Sequence, residues 1–285
     1  MLAELHRTLW PYRPIGLAGA GVVALLALLL TLGTRGWPGA PDVCLARQPD
    51  TCYCENYTRP GPIKQPANTW SNLGFIAAGL LVLGQARRPR RAAWANPMTA
   101  PGFYAILYGG LVVFLGPASM FFHASLRAWG GWIDLVSMML YSSFLLVYDL
   151  VRIWGASRRV FVAIYLPLVL AQGLADALVP KSGQLLFGAG IAGVLVLEAL
   201  ILRGQVPGLH RQGRPWFAVA LGLFAAAYGG IWLWSNTAGL LCDPDSVLQG
   251  HALWHLLCAA STLCLYQYLR TEERTGPAGR PAGVA

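Results

Sequence analysis

The feature that most constrains the fold is a series of eight long apolar runs. Each is long enough, or nearly so, for the helix of about 20 residues that crosses a hydrocarbon core. They lie at 15–33, 68–86, 101–123, 131–151, 160–178, 183–202, 215–235 and 249–269. Only 12% of the residues are charged, against about 25% in soluble domains. We therefore predict an all-α polytopic membrane protein, a seven-transmembrane-helix bundle preceded by one extra N-terminal transmembrane helix.

The apolar runs divide the chain into four segments. They are an N-terminal cytoplasmic segment with the extra helix at 1–36, an outer cysteine-containing loop at 37–67, the seven-helix domain at 68–270 and a disordered cytoplasmic tail at 271–285. The run at 15–33 is longer than the apolar core of a typical signal peptide, and no good cleavage site follows it. We therefore expect a retained helix.

The basic residues indicate how the bundle lies in the membrane. With the N-terminus inside, fifteen of the 21 Lys and Arg residues fall in inner segments and six fall in outer segments. Every inner segment contributes, as the positive-inside rule requires. The net charge of +9 thus reflects topology, and no nucleic-acid partner is expected. The Arg-rich composition suggests a bacterium, so we predict a multi-pass inner-membrane protein with both termini cytoplasmic.

Four of the six cysteines fall in predicted outer segments. This placement is typical of an oxidising compartment, where disulfides form. Four cysteines allow three pairings. A disulfide between the first outer loop and the loop that holds Cys242 would tie the starts of the second and eighth helices together. We take Cys54–Cys242 as that bridge, and Cys44–Cys52 as the second disulfide.

Five polar residues from three predicted helices reach the same depth, near the outer leaflet. His251 and His255 stand four apart in the last helix, so their rings lie on one face. His123 ends the third helix with Ser119 one turn earlier, and Asp134 begins the next helix. A lone intramembrane histidine is more often a helix contact, but this convergence indicates a functional site. Three other acidic residues in the spans are interpreted as structural: Asp149, Asp176 and Glu198.

The convergent residues suit a zinc site. His123, His251 and His255 can supply three imidazole nitrogens, and a catalytic zinc site keeps three protein ligands and one open position for water. The pKa of such a water falls to about 7. Asp134 can take and return a proton, and Ser119 can donate to a developing oxyanion. We predict Zn²⁺ as the cofactor, with Asp134 and Ser119 as catalytic residues.

Three segments carry this pattern in order. They are CENYTRPGPIKQPANTWSNLGFIAAG at 54–79, SMFFHASLRAWGGWID at 119–134 and CDPDSVLQGHALWHLL at 242–257. The pattern is Ser-x3-His, an Asp eleven residues after that His, and a late HxxxH. Together the segments resemble the alkaline ceramidases, of a bacterial type. These belong to a superfamily of seven-helix intramembrane hydrolases that also includes the adiponectin and progestin receptors.

The resemblance implies roles for the five convergent residues. The three histidines would bind zinc, and the Asp and Ser would assist attack of water on a lipid amide. The products would be a sphingoid base and a fatty acid. It also implies pairing of Cys54 with Cys242, in agreement with the topology.

The resemblance also implies a calcium site in animal members, formed by acidic residues near the first bundle helix. Glu55 and Asn56 match that segment, but a later family Glu is Gln65 here, and an Asp-Trp pair is replaced by Cys52-Tyr53. Calcium affinity follows the number and charge of its ligands. We therefore expect at most a weak calcium site, at Glu55 and Asn56.

The leading hypothesis is a zinc-dependent amidohydrolase that cleaves ceramide or a ceramide-like lipid entering from the outer leaflet. Its partner is a membrane lipid, and no obligatory protein partner is inferred. Two alternatives belong to other classes. A non-catalytic zinc-stabilised receptor or chaperone predicts bound zinc without turnover. A haem or electron-transfer protein using His123 with His251 or His255 predicts a Soret band.

Overall fold

The computed structural model describes residues 13–47, 52–58, 60–86, 96–99, 102–179, 182–235 and 239–275. Within these ranges the helices are α1 (Arg13–Arg35), α2 (Val43–Arg47), α3 (Pro66–Trp70), α4 (Leu73–Ala86), α5 (Phe103–Ser125), α6 (Ala128–Trp154), α7 (Arg158–Leu178), α8 (Ser182–Leu202), α9 (Arg214–Ser235) and α10 (Gly250–Leu269). Two strands, β1 (Leu209–Arg211) and β2 (Glu272–Arg274), pair antiparallel.

The helices follow the predicted spans closely. Seven of the eight spans are continuous helices whose ends lie within three residues of the prediction. One of them, α9, contains a π-helical segment at Ala226–Trp232. The span predicted at 68–86 is broken, because a turn at Ser71 and Asn72 separates α3 from α4. Among the described residues, six helices are long and apolar enough to cross a membrane: α1, α5, α6, α7, α8 and α9. The protein is an all-α polytopic membrane protein, as predicted.

Small residues let neighbouring helices approach at the centre of the bundle. A Cβ on Gly79 of α4 would lie 2.5 Å from the backbone nitrogen of Val113 on α5. A Cβ on Gly74 would lie 3.0 Å from the side chain of Leu256 on α10. Close backbone packing stabilises helices in a membrane, where lipid is as apolar as the side chains. This packing sets α4 against both α5 and α10, the two helices that carry the histidines.

Polar residues within the long helices find partners in the bundle. Helix α7 continues through Pro167, and Ser143 of α6 donates to Oε1 of Gln172 at 2.7 Å. At the end of α7, Oδ1 of Asp176 accepts from the backbone N–H of Gly183 at 2.8 Å. These pairings lower the cost of placing polar groups at membrane depth.

A group of ionisable side chains closes the end of the bundle opposite the histidines, and we call it the Arg211 cluster. The buried guanidinium of Arg211 donates to Asp149 of α6 at 2.8 Å, to Glu272 of β2 at 2.9 Å, and to Glu198 of α8. Arg152 also pairs with Glu272, at 2.6 Å. Burial lowers the pKa of Arg211, but the carboxylates raise it further, so the guanidinium stays charged.

The prediction of a disordered tail from residue 271 is wrong for its first residues. β2 pairs with β1 in the register Arg211↔Glu272 and Leu209↔Arg274. The physical reason is the buried carboxylate of Glu272, which would be costly without its two arginine partners. Residues 276–285 lie outside the described residues.

Candidate functional site

Three histidines meet where α5 ends and α10 begins. His123 lies in the last turn of α5, and His251 and His255 lie in the first two turns of α10. All three are buried, and one ligand atom from each lies within 4.8 Å of the others. The Nε2 atoms of His123 and His251 are 3.2 Å apart. Three converging imidazole nitrogens fit a metal ion of the zinc type.

Gln65 orients the ring of His123. Oε1 of Gln65 lies 2.7 Å from Nδ1 of His123. The amide nitrogen of Gln65 donates to the carbonyl oxygens of Cys52 and Glu55, so Oε1 is the acceptor and Nδ1 carries the proton. The Nε2 atom is then left for a metal. A hydrogen bond to the second ring nitrogen is typical of metal-ligating histidines.

Ser71 orients His255 in the same way. Its position follows from the turn between α3 and α4. The hydroxyl donates to the carbonyl oxygen of Asn68 at 3.0 Å and lies 2.8 Å from Nδ1 of His255. Because the hydroxyl proton is used, Ser71 accepts from His255, and Nε2 of His255 is left for a metal.

Two disulfides fix the outer loop beside the histidines. Cys44 bonds Cys52, and Cys54 bonds Cys242, which are the pairs taken from the sequence. The second bridge joins residues 188 apart and ties the loop to the segment before α10. Tyr53 lies between the two bridged cysteines, so the disulfides determine where its ring can reach.

The ring of Tyr53 covers two of the histidines. Its centroid lies 4.6 Å from that of His251 and 5.5 Å from that of His123. Burial, and the charges of Asp134 and Asp42, raise the pKa of Tyr53. The phenol is therefore neutral at physiological pH and lies within the field of both carboxylates.

Ser119 and Asp134 also come together at this end of the bundle. Ser119 is buried one turn before His123 on α5, and Asp134 lies partly exposed in the second turn of α6. The Ser119 hydroxyl hydrogen-bonds the Asp134 carboxylate. With Tyr53 next to the histidines and within the field of Asp134, all five residues singled out in the sequence lie at one end of the bundle.

Asp42 is a second carboxylate at this end, and the sequence analysis did not single it out. Its backbone N–H donates to the carbonyl of Leu126 at 3.0 Å, and its Oδ1 accepts from the N–H of Cys44 at 2.9 Å. A Cβ on Gly131 would lie 2.5 Å from its Oδ2, so it packs on the first turn of α6. Burial raises the pKa of Asp42. Asp42 lies in a loop, where no helical or strand periodicity relates it to the other site residues. The sequence pattern therefore does not predict its position.

The residues expected for a weak calcium site are engaged in other contacts. The two carboxylate oxygens of Glu55 accept from the N–H groups of Ala67 and Asn68 at 2.7 and 2.8 Å. The amide nitrogen of Asn56 donates to Asp245 at 3.0 Å. A calcium site needs several oxygens directed at one point. Glu55 and Asn56 do not fit that requirement, and we derive no chemistry through calcium.

Comparison with known proteins identifies one family. A family model described as Ceramidase matches residues 49–278, well over half of the chain. The matched range contains Tyr53, Gln65, the Ser119–Asp134 pair and all three histidines. No curated protein matches the chain.

Proposed function

The chain belongs to the ceramidase family, and from that premise we propose that it is a zinc-dependent intramembrane amidohydrolase. Membership makes it a hydrolase of amide bonds that acts on a lipid. The proposed reaction cleaves ceramide or a ceramide-like lipid to a sphingoid-type amine and a fatty acid. The observation that carries the proposal is the set of three buried histidines with ligand atoms within 4.8 Å of one another.

The donor set favours zinc over other divalent ions. Imidazole nitrogens suit zinc, whereas calcium and magnesium prefer oxygen ligands. The hydrogen bonds that Nδ1 of His123 donates to Gln65 and Nδ1 of His255 donates to Ser71 leave the Nε2 atoms of both histidines for the ion. Zinc in a site with three histidines supplies Lewis acidity, which polarises a carbonyl and activates water near neutral pH.

Asp134 is the proposed general base. Its carboxylate takes a proton from the water that adds to the amide carbon, and returns it to the nitrogen as the carbon–nitrogen bond breaks. The amine and the fatty acid then leave. Ser119 hydrogen-bonds this carboxylate, which orients it. From the sequence, Ser119 is predicted to donate a hydrogen bond to the developing oxyanion. It can do so only when its hydroxyl turns away from Asp134.

The proposed location is a bacterial inner membrane, with both termini cytoplasmic and the site near the outer leaflet. The excess of Arg in alternate segments supports this orientation. The two disulfides lie at the same end as the histidines, and disulfides form in oxidising compartments. A ceramide-like amide lies just below the head groups and would reach this depth from the side.

Two alternatives make different predictions. A zinc-stabilised receptor or chaperone would bind zinc without turning over a lipid. A haem would need its plane between two axial histidines, but Nε2 of His123 and Nε2 of His251 are 3.2 Å apart. The second alternative is therefore disfavoured by geometry, and a spectrum without a Soret band would exclude it.

The proposal is tested by metal analysis and hydrolysis of a fluorescent ceramide by the purified full-length protein. We expect turnover and about one zinc per chain, and His255→Ala should remove both. His210→Ala is the matched control, because that histidine is exposed on β1. Retention of full activity and stoichiometric zinc in His255→Ala would contradict the assignment.

A further inference from the structure

Tyr53 lies between the buried histidines and the outer surface. Its ring contacts His251, His123 and, in an edge-to-face arrangement at 5.7 Å, Phe122. The histidines are buried, whereas Tyr53 itself is partly exposed. Tyr53 is therefore more accessible to a substrate than the histidines that it covers.

The position of Tyr53 is imposed by its neighbours. Its φ is 59°, and that of Cys54 is 71°, a left-handed region that residues other than glycine seldom adopt. Such conformations persist only where the surroundings enforce them, and they cluster at active sites. Here Cys52 and Cys54, on either side, are bonded to Cys44 and Cys242. The two bridges hold the ring over the site.

The Tyr53 hydroxyl is a free donor. Among the residues that the structure describes, none accepts a hydrogen bond from it. The other hydroxyl expected to serve an oxyanion, that of Ser119, is engaged with Asp134. Of these two hydroxyls, that of Tyr53 is therefore the one available to an oxyanion formed beside the histidines.

We propose that Tyr53 is a further catalytic residue, whose hydroxyl donates a hydrogen bond to the amide oxygen of the lipid as that oxygen gains negative charge. The inference rests on the proposed function. No bond forms to Tyr53, and its proton stays on the phenol oxygen throughout. Donors of this kind act mainly on turnover, because they bind the transition state more strongly than the substrate.

The test compares Tyr53→Phe with wild type, with Tyr57→Phe in the same loop as the control. For Tyr53→Phe we expect kcat to fall about 100-fold, with KM and zinc content unchanged. A second measurement uses binding without turnover. The Kd of a lipid phosphonamidate, a tetrahedral anion, should rise by a similar factor, whereas that of intact ceramide should not.

Each outcome decides the question. Wild-type kcat in Tyr53→Phe, with loss only in Tyr53→Ala, would mean that the ring packs but the hydroxyl does not donate, and would overturn the inference. Loss of zinc or of thermal stability in Tyr53→Phe would make the role structural and overturn it as well. If the wild-type protein hydrolyses no lipid amide, the proposed function fails first, and the inference fails with it.

Discussion

His123 and Gln65 are joined twice. The side-chain amide oxygen of Gln65 accepts from Nδ1 of His123 at 2.7 Å, and the backbone N–H of Gln65 donates to the carbonyl oxygen of His123 at 3.1 Å. Gln65 has no exposed surface. The ring of His123, on α5, is thereby fixed to the outer loop by the neutral side chain of Gln65.

Replacing Gln65 with Ala should weaken zinc binding. Without the acceptor, the ring of His123 loses its orientation and its tautomer, and the loss of such a partner typically costs 10- to 100-fold in affinity, about what we expect here. Competition with a chromophoric chelator measures it. Gln267→Ala is the control, because that amide donates to Gln85, away from the histidines. Unchanged affinity in Gln65→Ala would show that the contact is dispensable.

Replacing Ser71 with Ala should have a smaller effect of the same kind. The neutral hydrogen bond to His255 is lost, but the ring stays packed against His123 and His251. We expect about a 10-fold loss of zinc affinity. The control is Ser261→Ala, which removes a hydroxyl on α10, the helix of His255. That hydroxyl donates to the carbonyl oxygen of Ala220, and the variant should bind zinc normally. An equal loss in both variants would argue for general destabilisation of α10.

Replacing Asp134 with Asn should abolish most turnover and leave the metal in place. The amide keeps the shape of the carboxylate but cannot accept the proton, and general-base catalysis contributes about 10²- to 10⁴-fold. Steady-state kcat and zinc content are measured on the same preparation. Asp243→Asn, in the exposed outer loop, serves as the control. A variant that keeps wild-type kcat would move the base to another residue, with Asp42 the next to test.

Replacing Arg211 with Met should destabilise the protein strongly. The change leaves the carboxylates of Asp149, Glu198 and Glu272 without their shared partner. Breaking a buried ion pair costs about 3–5 kcal/mol. Thermal unfolding in detergent measures the loss. Arg203→Met removes an exposed arginine from the same connection and should change stability little. If both variants unfold at the same temperature as wild type, the Arg211 cluster contributes no net stability.

The sequence predicts the convergence of the three histidines because helix geometry and topology act together. The spacing of His251 and His255 places both rings on one face, and the alternation of spans brings His123 to the same depth. The span boundaries hold because about 20 apolar residues are needed to cross a membrane, whatever the details of packing.

The supporting residues could not be found in this way. Gln65 and Ser71 act through hydrogen bonds to the histidines. The positions of these two residues depend on the loop before α3 and on the break between α3 and α4, for which the apolar pattern carries no signal. Tyr53 is placed by two disulfides and a left-handed backbone. Arg211, the partner of Asp149 and Glu198, lies on the short strand β1. Glu272 falls in the predicted disordered tail, because polar residues that follow a last span are usually solvated.

The Arg211 cluster joins residues that are far apart in the chain. Asp149 and Glu198 lie on α6 and α8 and Arg211 lies on β1, whereas Glu272 follows α10 by only a few residues. A chain truncated before residue 272 would keep the three histidines and all the described helices, yet Arg211 and Arg152 would lack the carboxylate that they share. We expect such a truncated chain to be less stable than one that includes β2, because breaking a buried ion pair costs about 3–5 kcal/mol.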